Sequence, residues 1–140
     1  MNEMIKKHEG LRLKAYLCPN GFWTIGYGNR FFPDGREVKR GDEITKQQAE
    51  FMLEDYLKKE VYPVIDSMAM PFTERQREAL ACLIYNWNAR GFKLSKLYRA
   101  IKMKNWRGIC EEWNYGFKNN LLGLYKRRTE ELAVFMADAK

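Results

Sequence analysis

The stretch EGLRLKAYLCPNGFWTIGYG, Glu9 to Gly28, sets the reading of the whole chain. Apolar residues alternate from Leu11 through Leu13 and Ala15 to Leu17, Cys18-Pro19-Asn20-Gly21 supplies turn chemistry, and Phe22-Trp23-Thr24-Ile25 resumes an extended pattern. Strand, turn and strand in that order predict a β-hairpin. A second turn, Pro33-Asp34-Gly35, precedes Arg36-Glu37-Val38, which is read as a third short strand completing a small antiparallel sheet. Upstream, Asn2 to His8 reads as a short helix ended by a left-handed Gly10, which places Glu9 at a helix carboxyl end.

Downstream the apolar pattern turns helical. Thr45-Lys46-Gln47-Gln48 and Thr73-Glu74-Arg75-Gln76 both have the capping-box form, in which threonine oxygen and glutamine amide satisfy the orphan amides of a helix start. The first helix runs toward Lys58 and meets Pro63, which ends or kinks it. The second presents Gln76, Leu80, Leu83, Ile84 and Trp87 on a wide, mostly apolar face. Further helices are expected over Ser95 to Met103, Asn105 to Trp113 and Leu124 to Ala137, separated by short polar or glycine-containing joints. The fold class is therefore α+β: one domain over residues 1–140, with a strand-bearing amino-terminal lobe over about 1–60 and a helical carboxyl-terminal lobe over about 61–140.

The chain has 140 residues, 46% of them hydrophobic, enough for one sizeable core. Its longest apolar run, Ala79 to Tyr85, is far short of the roughly 20 residues a spanning helix needs, so no stable membrane insertion is expected. The amino terminus has positive charge but no apolar stretch behind it and does not read as a secretory signal. Cys18, Cys82 and Cys110 are odd in number and lack metal-ligand spacing, and the lone His8 completes no zinc set, so reduced thiols and no metal are expected. A net charge of +7 implies a polyanionic partner or surface. Nucleic acid, anionic lipid and the acidic peptides of a cell wall would all serve; the basic residues are spread along the chain instead of forming one block, and a nucleic-acid partner is not expected.

Glu9 to Tyr16 followed by Trp23 to Gly28 resembles the signature of the phage lysozymes, glycoside hydrolase family 24. Thr73 to Gln76, Ala79-Leu80, Tyr85-Asn86, Phe92, Ser95, Trp113, Gly123-Leu124, Arg127-Arg128 and Glu131 follow in that family's order and approximate spacing, so the resemblance covers nearly the whole chain. It implies a two-lobed lysozyme fold with a cleft between the lobes. It also implies hydrolysis of the β-1,4 bond between N-acetylmuramic acid and N-acetylglucosamine in peptidoglycan glycan strands, with inversion at the anomeric carbon and no cofactor. The role implied is host-cell lysis by an endolysin, expected as a monomer that waits in the host cytoplasm until a separate holin releases it to the wall.

Glycoside hydrolysis needs a proton donor for the leaving oxygen and a second group that activates water or meets the developing cation. Glu9 suits the first role, because the carboxyl end of a helix and partial burial both disfavour an ionised carboxylate. Thr24 matches the family threonine that holds the attacking water, and a hydroxyl does this without ionising. Cys18 stands where the family pattern has aspartate. A free thiol, with a reference pKa of about 8.5, is mostly neutral near pH 7. Either the thiolate replaces the carboxylate, or the chain is a catalytically silent peptidoglycan-binding module with the lysozyme fold. Asn29 is a second departure, since many members have histidine after the Gly-Tyr-Gly segment. For substrate contacts the resemblance points to Gly28, Arg30, Tyr85 and Ser95; Gly28 also permits close backbone approach.

Overall fold

The computed structural model describes residues 2–114 and 122–139. Contacts along the chain divide into two compact units, Met1–Glu60 and Val61–Lys140.

The first unit opens with helix α1, Glu3–Glu9. Gly10 ends it, donating its N–H to the Lys6 carbonyl, at φ 72° and ψ 156°: the φ is positive as expected, but the extended ψ is not that of the left-handed residue expected there, and Glu9 is the last helical residue. Strands β1 (Arg12–Leu17) and β2 (Trp23–Gly26) form a two-stranded antiparallel sheet with Tyr16 opposite Thr24 and Leu17 opposite Trp23. Between Arg12 and Tyr16 the register shifts, and this irregularity breaks the simple alternation. Leu13 and Leu17 accordingly stay on the surface, 40% and 56% exposed, while the buried core forms from Ile25, Val38 and Met52 with Ala15, Trp23, Phe32 and Ile44 against it.

The expected third strand is absent. Arg36 to Val38 makes only an isolated pairing of Phe31 with Glu37, closed by the Phe32 amide on the Arg36 carbonyl and the Val38 amide on the Arg30 carbonyl. The outer edge of β1 is taken by Asp42 to Ile44: the Ala15 amide donates to the Asp42 carbonyl and the Ile44 amide to the Leu13 carbonyl. The residues around Pro33-Asp34-Gly35 fold back on themselves as a loop, with the Gly35 amide on the Phe32 carbonyl. Helix α2, Lys46–Tyr56, starts at the Thr45 capping box with both reciprocal bonds made. A π-helical turn, Leu57–Val61, follows at the point where the sequence reading has Pro63 disturb the helix.

The second unit is helical: α3 (Tyr62–Ser67, with Pro63 in its first turn), α4 (Glu74–Trp87), α5 (Ala89–Lys93), α6 (Lys96–Lys102), α7 (Trp106–Trp113) and α8 (Leu122–Ala137). The Thr73 capping box is complete, and Ser95 and Asn105 cap α6 and α7. Gln76, Leu80, Leu83 and Ile84 are buried as the apolar face predicts, whereas Trp87 is half-buried. α3 and the five-residue α5 are not anticipated by the sequence reading. The joint expected between Trp113 and Leu124 lies largely outside the described residues.

α4 and α8 pack together around charge as well as apolar surface. Glu131, fully buried, accepts from Arg128 Nη1 at 2.8 Å, from Arg127 Nε at 3.3 Å and from Trp113 Nε1 at 3.4 Å. Arg127 also donates to the Cys82 carbonyl, and Arg128 to Asn86 Oδ1. Burial lowers the Arg128 pKa and raises that of the Cys82 thiol, so Cys82 stays protonated.

Candidate active site

The helix that ends in Glu9, α1, is held by the buried Met4 and Ile5 and by polar contacts. One turn upstream, Lys6 Nζ lies 2.8 Å from Glu50 Oε2 on α2, and at the head of the helix Asn2 Nδ2 donates to Glu54 Oε1 at 2.8 Å. Residues 2 and 6 of one helix thus meet residues 54 and 50 of the other, the spacing of successive turns. Tyr27 completes the clamp by donating its hydroxyl to Glu50 Oε1 at 2.9 Å, and Lys6 lies 6.0 Å from the Tyr27 ring centroid. The bond to Glu50 raises the Lys6 pKa, and the same bond holds the Glu50 carboxyl below its ordinary range. Burial, then the Glu50 bond, raises the Tyr27 phenol.

At the other end of α1, the Glu9 carboxylate lies over Gly28. A Cβ built on Gly28 would stand 2.8 Å from Glu9 Oε1, and Gly28 has φ +86°, so glycine is required both by the backbone and by the carboxylate above it. The turn carrying Gly28 is tight: Ile25 and Asn29 exchange both backbone N–H···O bonds at 2.9 Å, with Gly26 also at positive φ. The Asn29 side chain is buried, and its Oδ1 has no hydrogen-bond partner among the described residues, so no ion pair forms where histidine is usual.

The hairpin turn brings Cys18 and Thr24 to one atom. The Phe22 carbonyl accepts the Cys18 amide at 2.9 Å and the Thr24 hydroxyl at 3.1 Å. Thr24 is buried and commits its only proton to this bond, which leaves its oxygen as an acceptor. Cys18 is half-buried and forms no disulfide. Tyr16, opposite Thr24 and two residues before Cys18, is a neighbour the sequence reading passed over. Burial raises its phenol pKa, and negative charge on Cys18 and then on Glu9 pushes the same way, against Arg12. Tyr16 therefore stands within electrostatic reach of both groups. Strand alternation in the sequence already set Tyr16 on the side of Cys18; the Lys6–Tyr27–Glu50 clamp left no such sign.

The first unit thus gathers Glu9, Gly28, Cys18 and Thr24, with Arg30 two residues beyond Gly28. Tyr85 and Ser95 belong to the second unit. Tyr85 is half-buried on α4, and the Ser95 hydroxyl donates to the Phe92 carbonyl at 2.6 Å while accepting the Tyr98 amide as the α6 cap. No group of metal-ligating side chains occurs among the described residues, and no described helix is long and apolar enough to cross a membrane.

The first unit thus carries a carboxylate at a helix end, a glycine kept bare beneath it, and a threonine anchored on a turn carbonyl. The phage lysozyme family model matches residues 6–131. The chain belongs to the phage lysozyme family. An endolysin of Acyrthosiphon pisum secondary endosymbiont phage 1 is 34% identical over 139 residues, covering 94% of this chain and 92% of that one. A variant of P22 lysozyme superposes with TM-score 0.79 at 30% identity, covering 96% of this chain and 94% of that one. The muramidase domain of SpmX from Asticaccaulis excentricus superposes with TM-score 0.80 at 26% identity, covering 96% and 93%. This phage lysozyme is a glycoside hydrolase of the lysozyme type, and its α+β fold with a small antiparallel sheet is that of its relatives.

Proposed function

We propose that the chain is an endolysin that hydrolyses the β-1,4 bond between N-acetylmuramic acid and N-acetylglucosamine in peptidoglycan, with Glu9 as general acid. The observation that carries this reading is the Glu9 carboxylate resting over the bare α-carbon of Gly28. A glycine there lets a sugar approach the acid with no side chain between them. Glu9 protonates the leaving glycosidic oxygen, and a water held by the acceptor oxygen of Thr24 attacks the anomeric carbon from the opposite side, inverting it. Cys18 as thiolate takes the proton of that water, standing in for the family aspartate. Exchange with solvent then returns a proton to Glu9 and removes one from Cys18. Gly28, Arg30, Tyr85 and Ser95 contact the substrate, and a holin admits the enzyme to the wall late in infection.

Two variants test the reading against a purified wall, with product analysis fixing the bond cut. Glu9→Gln should fold as the parent does and lose at least about a hundredfold in rate; retained lysis removes Glu9 from the mechanism. Cys18→Asp should remain active and extend its working range toward acid, while Cys18→Ala loses most activity. A Cys18→Ala enzyme as fast as the parent makes the thiol a bystander, with Glu9 and the Thr24-held water sufficient. A parent that clears no wall and gains activity only as Cys18→Asp decides for a silent binding module.

A further inference from the structure

Arg30 differs from the other arginines that lie over aromatic rings. Its guanidinium carbon is 3.4 Å from the Phe22 ring centroid and 5.4 Å from that of Phe31, so it is held by two rings. Arg36 over Phe32 and Arg77 over Tyr62 are each tied to a carboxylate, Asp34 and Asp66, and Arg12 lies over one ring only. Arg30 has no ion pair among the described residues, although it is exposed and carries a full charge. Both rings are themselves open to solvent, Phe22 43% and Phe31 46% exposed.

The backbone that carries this stack is held at Phe22 and at Arg30. The Phe22 carbonyl holds Cys18 and Thr24, and the Arg30 carbonyl accepts the amide of Val38, a core residue. A guanidinium flat on a ring has its face occupied and its N–H edge turned outward, a planar fork that matches a carboxylate. Holding the fork in place before a ligand arrives removes part of the ordering cost of binding. The position is also close to the chemistry, since two residues span at most about 7 Å from Gly28, over which Glu9 lies.

We propose that Arg30, clamped by Phe22 and Phe31, is a carboxylate-reading site that selects glycan strands by their acidic peptide stems. This rests on the endolysin reading, because the stem leaves N-acetylmuramic acid beside the bond that Glu9 protonates. A neutral sugar is served by neutral donors and acceptors, whereas a ring-stacked guanidinium with no ion pair among the described residues matches an anion. The stem supplies one, and the surplus of +7 over the chain favours its approach.

The test compares reducing-end release from three preparations of one wall: strands with intact stems, the same strands with stem carboxylates amidated, and strands stripped of stems by an amidase whose newly exposed lactyl carboxylates are then amidated as well. Amidation leaves wall phosphates in place and so separates carboxylate from phosphodiester recognition. The parent should show kcat/KM about three- to tenfold higher on intact stems than on either other substrate, the range of an exposed but ordered charge pair. In Arg30→Gln and Phe22→Leu that ratio should fall to about one, with Arg30→Lys between. An equal rate of the parent on all three substrates, or an unchanged ratio in Arg30→Gln, overturns the proposal. Release from none of the three substrates is a failure of the endolysin reading instead. In that event calorimetric titration with an isolated acidic stem peptide decides: binding to the parent and not to Arg30→Gln upholds the site, and binding to neither overturns it.

Discussion

In the first unit the ion pairs Lys6–Glu50, Lys14–Glu43 and Arg36–Asp34 all reach solvent, whereas the second unit, beside surface pairs such as Arg77–Asp66, encloses Arg127, Arg128 and Glu131 at no more than 5% exposure. The enclosed group is satisfied on several sides by Cys82, Asn86 and Trp113, and its members cannot be removed singly without stranding charge. The exposed pairs each contribute little to stability, at most about 1 kcal/mol. One of them instead fixes the helix that ends in Glu9. The difference separates charge that holds a fold together from charge that aims a reactive group.

The comparison is broken most severely at Glu131. Glu131→Gln keeps the shape and leaves two buried guanidiniums without their carboxylate, so a loss of about 3–5 kcal/mol is expected in urea denaturation. A loss under about 1 kcal/mol would show that the second unit treats this charge as the first unit treats its own.

A smaller change in stability with a larger change in rate is expected at Gly28. Gly28→Ala puts a methyl group 2.8 Å from Glu9 Oε1 at a backbone φ of +86°, in a turn closed by both Ile25–Asn29 bonds. The strain is worth about 1–3 kcal/mol, and the part that yields is the carboxylate. Steady-state kinetics should show kcat down about tenfold or more with far-ultraviolet dichroism unchanged; a fall in stability without a fall in kcat separates Gly28 from the acid.

The mildest test is the pH dependence of the Lys6–Glu50 clamp. The Glu50 carboxyl is held below its ordinary range, so its contribution is present above the unfolded pKa of about 4.3 and is lost as pH falls through the lower folded value. The Lys6 ammonium is raised, so its contribution is complete below about 10.4 and is lost as pH rises through the higher folded value. Thermal melts of Glu50→Gln should therefore lose part of the acid-side slope of the parent, by less than about 1 kcal/mol. Identical slopes would mean that the pair does not hold α1 in solution.

Local features were legible in the sequence. The capping boxes at Thr45 and Thr73, the hairpin turn after Leu17 and the helix stop at Gly10 each rest on chemistry within a few residues, and each is present. The third strand failed because Arg36 to Val38 bonds back onto Arg30 to Phe32 of its own loop, while a later segment, Asp42 to Ile44, takes the outer edge of β1. The alternation from Leu11 to Leu17 was misleading for a related reason, since the irregular register between Arg12 and Tyr16 leaves Leu13 and Leu17 outward. Within the candidate site, Glu9, Cys18, Thr24 and Gly28 came from the motif. The groups that aim Glu9 did not, because Lys6, Tyr27 and Glu50 meet across segments whose pairing no local pattern encodes.

The Phe22 carbonyl offers a direct view of turnover. Because it accepts both the Cys18 amide and the Thr24 hydroxyl, its stretching frequency reports how many donors it holds at any moment. Labelled with heavy carbon and oxygen at that one position, the enzyme would carry an infrared probe beside its proposed water site. Rotation of the Thr24 hydroxyl toward an incoming molecule would appear as a single shifted band, without any foreign chromophore in the protein.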